Sequence, residues 1–150
     1  MQIIEGDLID LTLKGNFDIV IHGCNCFNTM GKGIAKQIKE KFPEAYQSDL
    51  KTLKGDRNKL GNYSFYSYDN FYIINAYTQY FYHGVEVLVE YKALESVFKK
   101  LKKDFGNKKL RFAYPKIGCG LAGGNWEIVS KIIDKELQGE NHTLVLYNGV

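Results

Sequence analysis

Apolar and polar positions along this chain switch between two periods, and the switches mark its elements. Gln2–Glu5 reads as a short opening strand that ends at Gly6-Asp7. Phe17 to Gly23 carries Phe17, Ile19, Val20 and Ile21 almost without interruption, the pattern of a strand covered on both faces. From Ile34 the period becomes helical, with Ile34, Ile38 and Phe42 spaced by four and Lys36, Lys39, Glu40 and Lys41 between them. Pro43 either stops that helix or starts another, and Ala45 to Leu53 reads as a further short helix. Tyr63–Tyr68 and Phe71–Ala76 are two strands with a tight hairpin turn at Asp69-Asn70. Tyr77 to Gly84 fits neither period and reads as an aromatic loop. A long helix is expected from Val85 to Lys103, because Val89, Ala93, Val97 and Leu101 repeat every four residues. Leu110–Tyr114 and Thr143–Tyr147 are the closing strands. The helix between them has Trp126, Val129, Ile133 and Leu137 on one side and Asn125 as its cap.

Strands and helices alternate with no repeat or low-complexity tract, which predicts one α/β layered domain over residues 1–150. A chain of this length can bury a substantial core without metal or disulfide staples. Hydrophobic residues are 45% and prolines number 2, which excludes a collagen-like chain and argues against wholesale disorder. A net charge of +3 permits an anionic ligand without marking a duplex-binding module. The lysine run Lys99, Lys100, Lys102, Lys103, Lys108 and Lys109 reads as a solvated helix face and its exit. Cys24, Cys26 and Cys119 form no secreted disulfide framework, so a reducing, cytoplasmic setting is expected. The start at Met1 lacks a signal-peptide pattern and no long apolar segment follows, so no membrane association is expected.

Two glycine-rich turns carry the chemistry. Asn28-Thr29-Met30-Gly31-Lys32-Gly33 precedes the helix at Ile34, and Ile117-Gly118-Cys119-Gly120-Leu121-Ala122-Gly123-Gly124-Asn125 precedes the helix at Trp126. At the carboxyl ends of strands, such turns offer amides and helix starts to an anion. As a pair they are expected to hold a diphosphate from two sides. Neither is a Walker sequence, because Gly31-Lys32-Gly33 lacks the upstream glycine spacing and the Lys-Ser/Thr pair. The first strand also lacks the Rossmann turn. Cys24, Cys26, Cys119 and the histidines show no zinc spacing, and no Cys-x5-Arg phosphatase loop is present, so no metal and no cofactor are expected.

These motifs together resemble a macro domain. The resemblance rests on Gly6-Asp7, on His22-Gly23-Cys24-Asn25-Cys26-Phe27-Asn28-Thr29-Met30-Gly31-Lys32-Gly33-Ile34-Ala35, and on the segment from Pro115 to Trp126. It spans almost the whole chain and is nearest to compact ADP-ribose-1''-phosphate phosphatases and terminal ADP-ribose glycohydrolases. It implies a three-layer α/β/α fold with a mixed central sheet and a cleft for ADP-ribose. By resemblance, Asp7 receives the adenine amino group and Leu8 lies beside it. Asn25 meets the distal ribose. Met30, Gly31, Lys32, Gly33 and Ile34 surround the diphosphate and distal ribose, opposite Ile117, Gly118, Cys119, Gly120, Leu121, Ala122 and Gly123. Tyr147 and Asn148 are adenine-side walls.

The family contains enzymes and binding modules. Ala76 and Ala122 are matched to the nucleophilic lysine and acidic partner of the glycohydrolase-like pattern, and alanine performs neither role. The phosphatase-like branch fits better, through His83-Gly84 and Cys24-Asn25-Cys26. The expected activity is removal of the terminal phosphate from ADP-ribose-1''-phosphate. His83 is the expected proton carrier, Asn25 positions ribose or water, and His22 is a second histidine candidate. The alternatives are an ADP-ribose-binding module without turnover, and an ADP-ribosyl hydrolase acting on a modified protein or nucleic acid. A monomer is expected.

Overall fold

The computed structural model describes residues 1–147. Six strands form one sheet: β1 (Gln2–Glu5), β2 (Ile19–Cys24), β3 (Tyr63–Ser67), β4 (Tyr72–Tyr77), β5 (Arg111–Tyr114) and β6 (Asn141–Leu146). Their order is β1-β6-β5-β2-β4-β3. All neighbours are parallel except β3, which returns antiparallel along β4. The Asp69-Asn70 hairpin closes with Tyr68 N donating to Phe71 O at 2.8 Å. The helices are α1 (Leu8–Leu13), α2 (Gly33–Lys41), α3 (Pro43–Leu50), α4 (Tyr91–Phe105) and α5 (Trp126–Glu136).

Alternation along the strands divides the core into two layers. Ile19, Ile21, Ile74, Phe112 and Leu144 face α4 and α5, where Leu94, Val97, Phe98, Val129 and Ile133 are buried. Val20, Ile73, Ala113 and Val145 face the other way, against Leu8, Ile9, Ile38, Phe42 and Ala45 of the α1–α3 layer. The arrangement is thus the expected three-layer α/β/α fold around a mixed sheet. Among the described residues no helix is long and apolar enough to cross a membrane.

Three elements differ from the sequence reading. Helix α1 has no counterpart in it, although Asp7 ahead of Leu8 and Ile9 is a cap signal; Asp7 Oδ1 accepts the Asp10 amide at 3.1 Å. Pro43 starts α3 at its first turn, where a missing amide costs nothing, and the helix ends at Leu50 instead of Leu53. The long helix begins at Tyr91, not at Val85. Val85, Val87 and Val89 put a β-branched residue at every second position, the chain bends at Val85-Glu86, and tertiary partners hold Leu88–Glu90 out of the helix. Val89 bridges Gln79, Leu88 N donates to Ala122 O at 2.8 Å, and Glu90 N donates to Thr78 O at 2.8 Å.

Candidate functional site

Strands β2 and β5 are neighbours, yet the chain leaves them toward opposite layers, into α2 and α5. Such a reversal opens a crevice at the carboxyl ends of parallel strands. Both glycine-rich turns lie in it. A cavity of about 580 Å3 is lined by Gly23–Asn25, Gly31–Ala35, Gln79, Tyr82, His83 and Pro115–Gly118, with Gly120, Leu121 and Ala122. A second basin of about 520 Å3 is lined by Asp7, Leu8, Gln37, Cys119, Val145 and Tyr147, among others. Gly33, Ile34, Pro115, Lys116 and Gly120 line both, so the two basins form one groove.

The walls of this groove are rich in free amides. Among the described residues, the N–H groups of Gly118, Gly120, Leu121 and Ala122 donate to no protein acceptor. The amides from Gly31 to Ala35 are likewise without an acceptor. Helix α5 is capped by its own Asn125 Oδ1, which accepts the Glu127 amide at 2.9 Å. Helix α2 has no side-chain cap at Lys32. Its first-turn donors, with the positive end of its dipole, face the groove. Lys32 and Lys116 add two exposed ammonium groups to the lining. The second turn is shaped by Gly118, whose φ is +74 and whose added Cβ would lie 2.5 Å from Val89 Cγ2.

Asn25 lines the groove, but its amide is engaged within its own turn. Oδ1 accepts the Phe27 amide at 2.8 Å, and Nδ2 donates to Thr29 Oγ1 at 2.8 Å and Thr29 O at 3.1 Å. His83 is exposed at the groove mouth, its ring 4.8 Å from Phe81 and 5.0 Å from Tyr82. His22 lies outside the groove. It points into the α1–α3 layer, is fully buried, and has Nε2 2.7 Å from Asn75 Oδ1. Burial pushes its pKa down to about 4, with the Asn75 hydrogen bond opposing. His22 shares its face of β2 with Val20 and lines neither basin.

Cys24 touches the groove and has its sulfur 3.6 Å from His22 Nε2 and 3.7 Å from Nδ1. Nearly equal distances put the sulfur beside the ring, not along one nitrogen's lone pair. Burial holds the Cys24 thiol well above its ordinary pKa, with Asp49 adding to the effect, which disfavours the thiolate. Burial also raises Asp49, and Tyr77 donates to its Oδ1 at 2.7 Å behind the groove.

Of the remaining expected residues, Asp7, Leu8, Gly31, Lys32, Gly33, Ile34, Ile117, Gly118, Cys119, Gly120, Leu121, Ala122 and Tyr147 line the groove. Met30 does not, being buried against Cys24, Cys26 and Tyr77. Gly123 turns the chain at φ +70 beside Val87 and lies outside the lining. Asn148 lies outside the described residues. Ala76 is fully buried in β4 and does not reach the groove. Gln79, three residues further on, does reach it, and it too lacks a nucleophile. Trp126 opens α5 and packs on the core, away from both basins. Gln79, Tyr82 and Lys116 are lining residues that the sequence reading did not select; the irregular aromatic segment after β4 was the available signal.

A three-layer domain with an amide-walled groove at the strand ends is the class of protein that these features define. The family model of the Macro domain matches residues 21–133. The chain belongs to the macro domain family. It is 39% identical to an uncharacterized 17.5 kDa protein of Enterobacteria phage T4, over 89% of this chain and 88% of that one. It is 28% identical to a protein of Lodderomyces elongisporus named ADP-ribose 1''-phosphate phosphatase, over 90% of this chain and 91% of the relative. The macrodomain of Thermus aquaticus DarG superposes with a TM-score of 0.76 at 24% identity, covering 99% of this chain and 97% of that structure.

Proposed function

We propose that this protein binds ADP-ribose along the groove and removes the terminal phosphate from ADP-ribose-1''-phosphate. The observation that carries the reading is the set of unsatisfied amides on both turns, Gly31–Ala35 facing Gly118, Gly120, Leu121 and Ala122. Opposed N–H groups in a narrow groove suit a pyrophosphate, whose oxygens accept from both walls. Asp7 at the far basin offers a carboxylate to an adenine amino group, beside the apolar Leu8 and Val145. The distal ribose then falls near Asn25, with its anomeric substituent toward His83 and Lys32.

In the proposed reaction water adds to phosphorus and the bond from phosphorus to the ribose oxygen breaks. A proton leaves the water and another reaches the departing oxygen; His83 relays a proton at this end of the groove. Wall amides and Lys32 stabilise the charge that develops on the phosphoryl oxygens. The relative named ADP-ribose 1''-phosphate phosphatase, matched over 90% of this chain, supports the same substrate.

One observation favours a binding-only reading. The Asn25 side chain is committed to Phe27 and Thr29, which leaves it no free donor with which to orient water. Phosphate release from ADP-ribose-1''-phosphate, followed alongside ADP-ribose calorimetry, separates the two. Saturable phosphate release is expected. Tight binding without release establishes the reader. Release of ADP-ribose from a modified macromolecule, with no phosphate release, establishes the hydrolase. Absence of binding to either nucleotide overturns the whole assignment.

A further inference from the structure

The loop between β2 and α2 forms the middle of the groove, yet it belongs to no helix or strand. Such a loop keeps one shape only where its polar backbone is satisfied from outside. The support comes from the connection between α3 and β3. Lys59 lies there, in a single 3-10 turn (Arg57–Lys59), and is 7% exposed. Its Nζ donates to Cys26 O at 3.1 Å and to Asn28 Oδ1 at 2.6 Å, and sits 4.9 Å from the centre of the Tyr77 ring. Asn28 has φ +58, a left-handed conformation that asparagine tolerates better than most residues and that its bonds to Thr52 and Lys59 hold here. Asn28 Nδ2 donates to Thr52 O at 2.9 Å, which turns Oδ1 toward Lys59. Gly55 N adds a second bond to Cys26 O, at 2.7 Å.

Lysine is seldom buried, and both hydrogen bonds of this one end on the ligand loop. An apolar side chain would pack beside Tyr77 at less desolvation cost. The charge faces the buried Asp49 carboxylate, while the hydrogen bonds are spent on the loop. Lys59 lines neither basin, so it acts through the loop. We propose that Lys59 is a positioning residue of the groove, an internal tether that holds Cys26–Asn28 in the shape that presents Asn25 and the Gly31–Ala35 amides. The inference rests on the ligand reading given above.

The test uses the full chain at a temperature where circular dichroism shows each variant folded. Lys59→Met keeps the stem and removes the donors. It is expected to weaken ADP-ribose affinity about tenfold, the scale of a lost charged hydrogen bond. In the unliganded variant the Phe27 and Gly55 amides are expected to lose hydrogen-exchange protection, while Ile21 and Ile74 in the sheet keep theirs. A merely structural lysine would lower loop and sheet together. Asn28→Gly accepts the backbone conformation and removes the Lys59 acceptor. It is expected to produce the same loss, and the double variant is expected to lose no more than Lys59→Met alone. If Lys59→Met does not fold, Asn28→Gly decides. Affinity within about twofold of the parent, unchanged loop exchange, or additive losses overturn the proposal. If the parent itself does not bind ADP-ribose, the ligand reading fails, and the exchange result still decides whether Lys59 holds the loop.

Discussion

His22 Nε2 and Asn75 Oδ1 lie 2.7 Å apart, with both side chains fully buried beneath the groove. Asn75 Nδ2 donates to Ala45 O at 3.0 Å, which leaves Oδ1 as the acceptor and puts the His22 proton on Nε2. Burial lowers the His22 pKa to about 4. The unfolded chain therefore takes up a proton near pH 6.5 that the folded chain refuses until about pH 4. The stabilisation is present above that window and is lost as pH falls through it, by up to about 3 kcal/mol. Urea midpoints between about pH 7.5 and 4.5 should fall steeply for the parent and less steeply for His22→Gln.

His83 lines the groove mouth, and the proposed reaction assigns it the proton transfer. His83→Ala should lower kcat for phosphate release by about 100-fold or more, while ADP-ribose affinity changes by less than about threefold. Equal turnover would remove His83 from the mechanism. Equal losses of turnover and affinity would make it a binding residue only.

Asp7 has two jobs that substitution can separate. It caps α1 through Asp10 N, and it lines the far basin. Asn caps as well as Asp, so Asp7→Asn should leave stability within a few tenths of a kcal/mol. On the proposed ligand reading it should still weaken ADP-ribose binding, because it replaces the carboxylate assigned to the adenine amine by a neutral amide. Asp7→Ala should lose about 1 kcal/mol of stability in addition. Calorimetry and thermal unfolding on the two variants read the jobs independently.

Gly118 combines φ +74 with close approach to Val89. Gly118→Ala should cost about 2–4 kcal/mol, from left-handed strain and from overpacking. Adding Val89→Ala should remove the Cγ2 clash and recover part of the loss, leaving the 2.9 Å Cβ contact and the strain, which denaturant midpoints will show.

The thiols should differ in reactivity. Burial pushes Cys26 up to about 11 and holds Cys24 well above its ordinary value, and both are buried. Cys119 is half-buried and lines the far basin; burial raises its thiol as well. Iodoacetamide should label Cys119 first in the native protein, with Cys24 and Cys26 labelled only on unfolding. ADP-ribose should slow labelling of Cys119, as peptide mass spectrometry will report.

Periodicity located most elements, because burial of one face repeats at the helix or strand period within a few residues of chain. It failed at Val85–Val89, where helical spacing of Val89 with Ala93 coexists with β-branched alternation; bonds to Thr78 and Ala122 settle the matter from distant chain positions. It passed over α1, which is too short for a period to register and is marked mainly by its Asp7 cap. Most of the groove was readable from the glycine turns and their family resemblance. His22 and Met30 were not, because their direction depends on which layer each side chain enters.

What the sequence determined by itself is the order of the strands and of the helices after α1, the two amide-rich turns and the membership of their residues in one family pattern. Each is a property of neighbours along the chain. Only the tertiary structure decided that β2 and β5 lie side by side, so that turns some ninety residues apart share one groove. It also decided that His22 faces inward and that Lys59 reaches the back of the ligand loop. Strand pairing and burial are set by contacts between distant segments, and no local period encodes them.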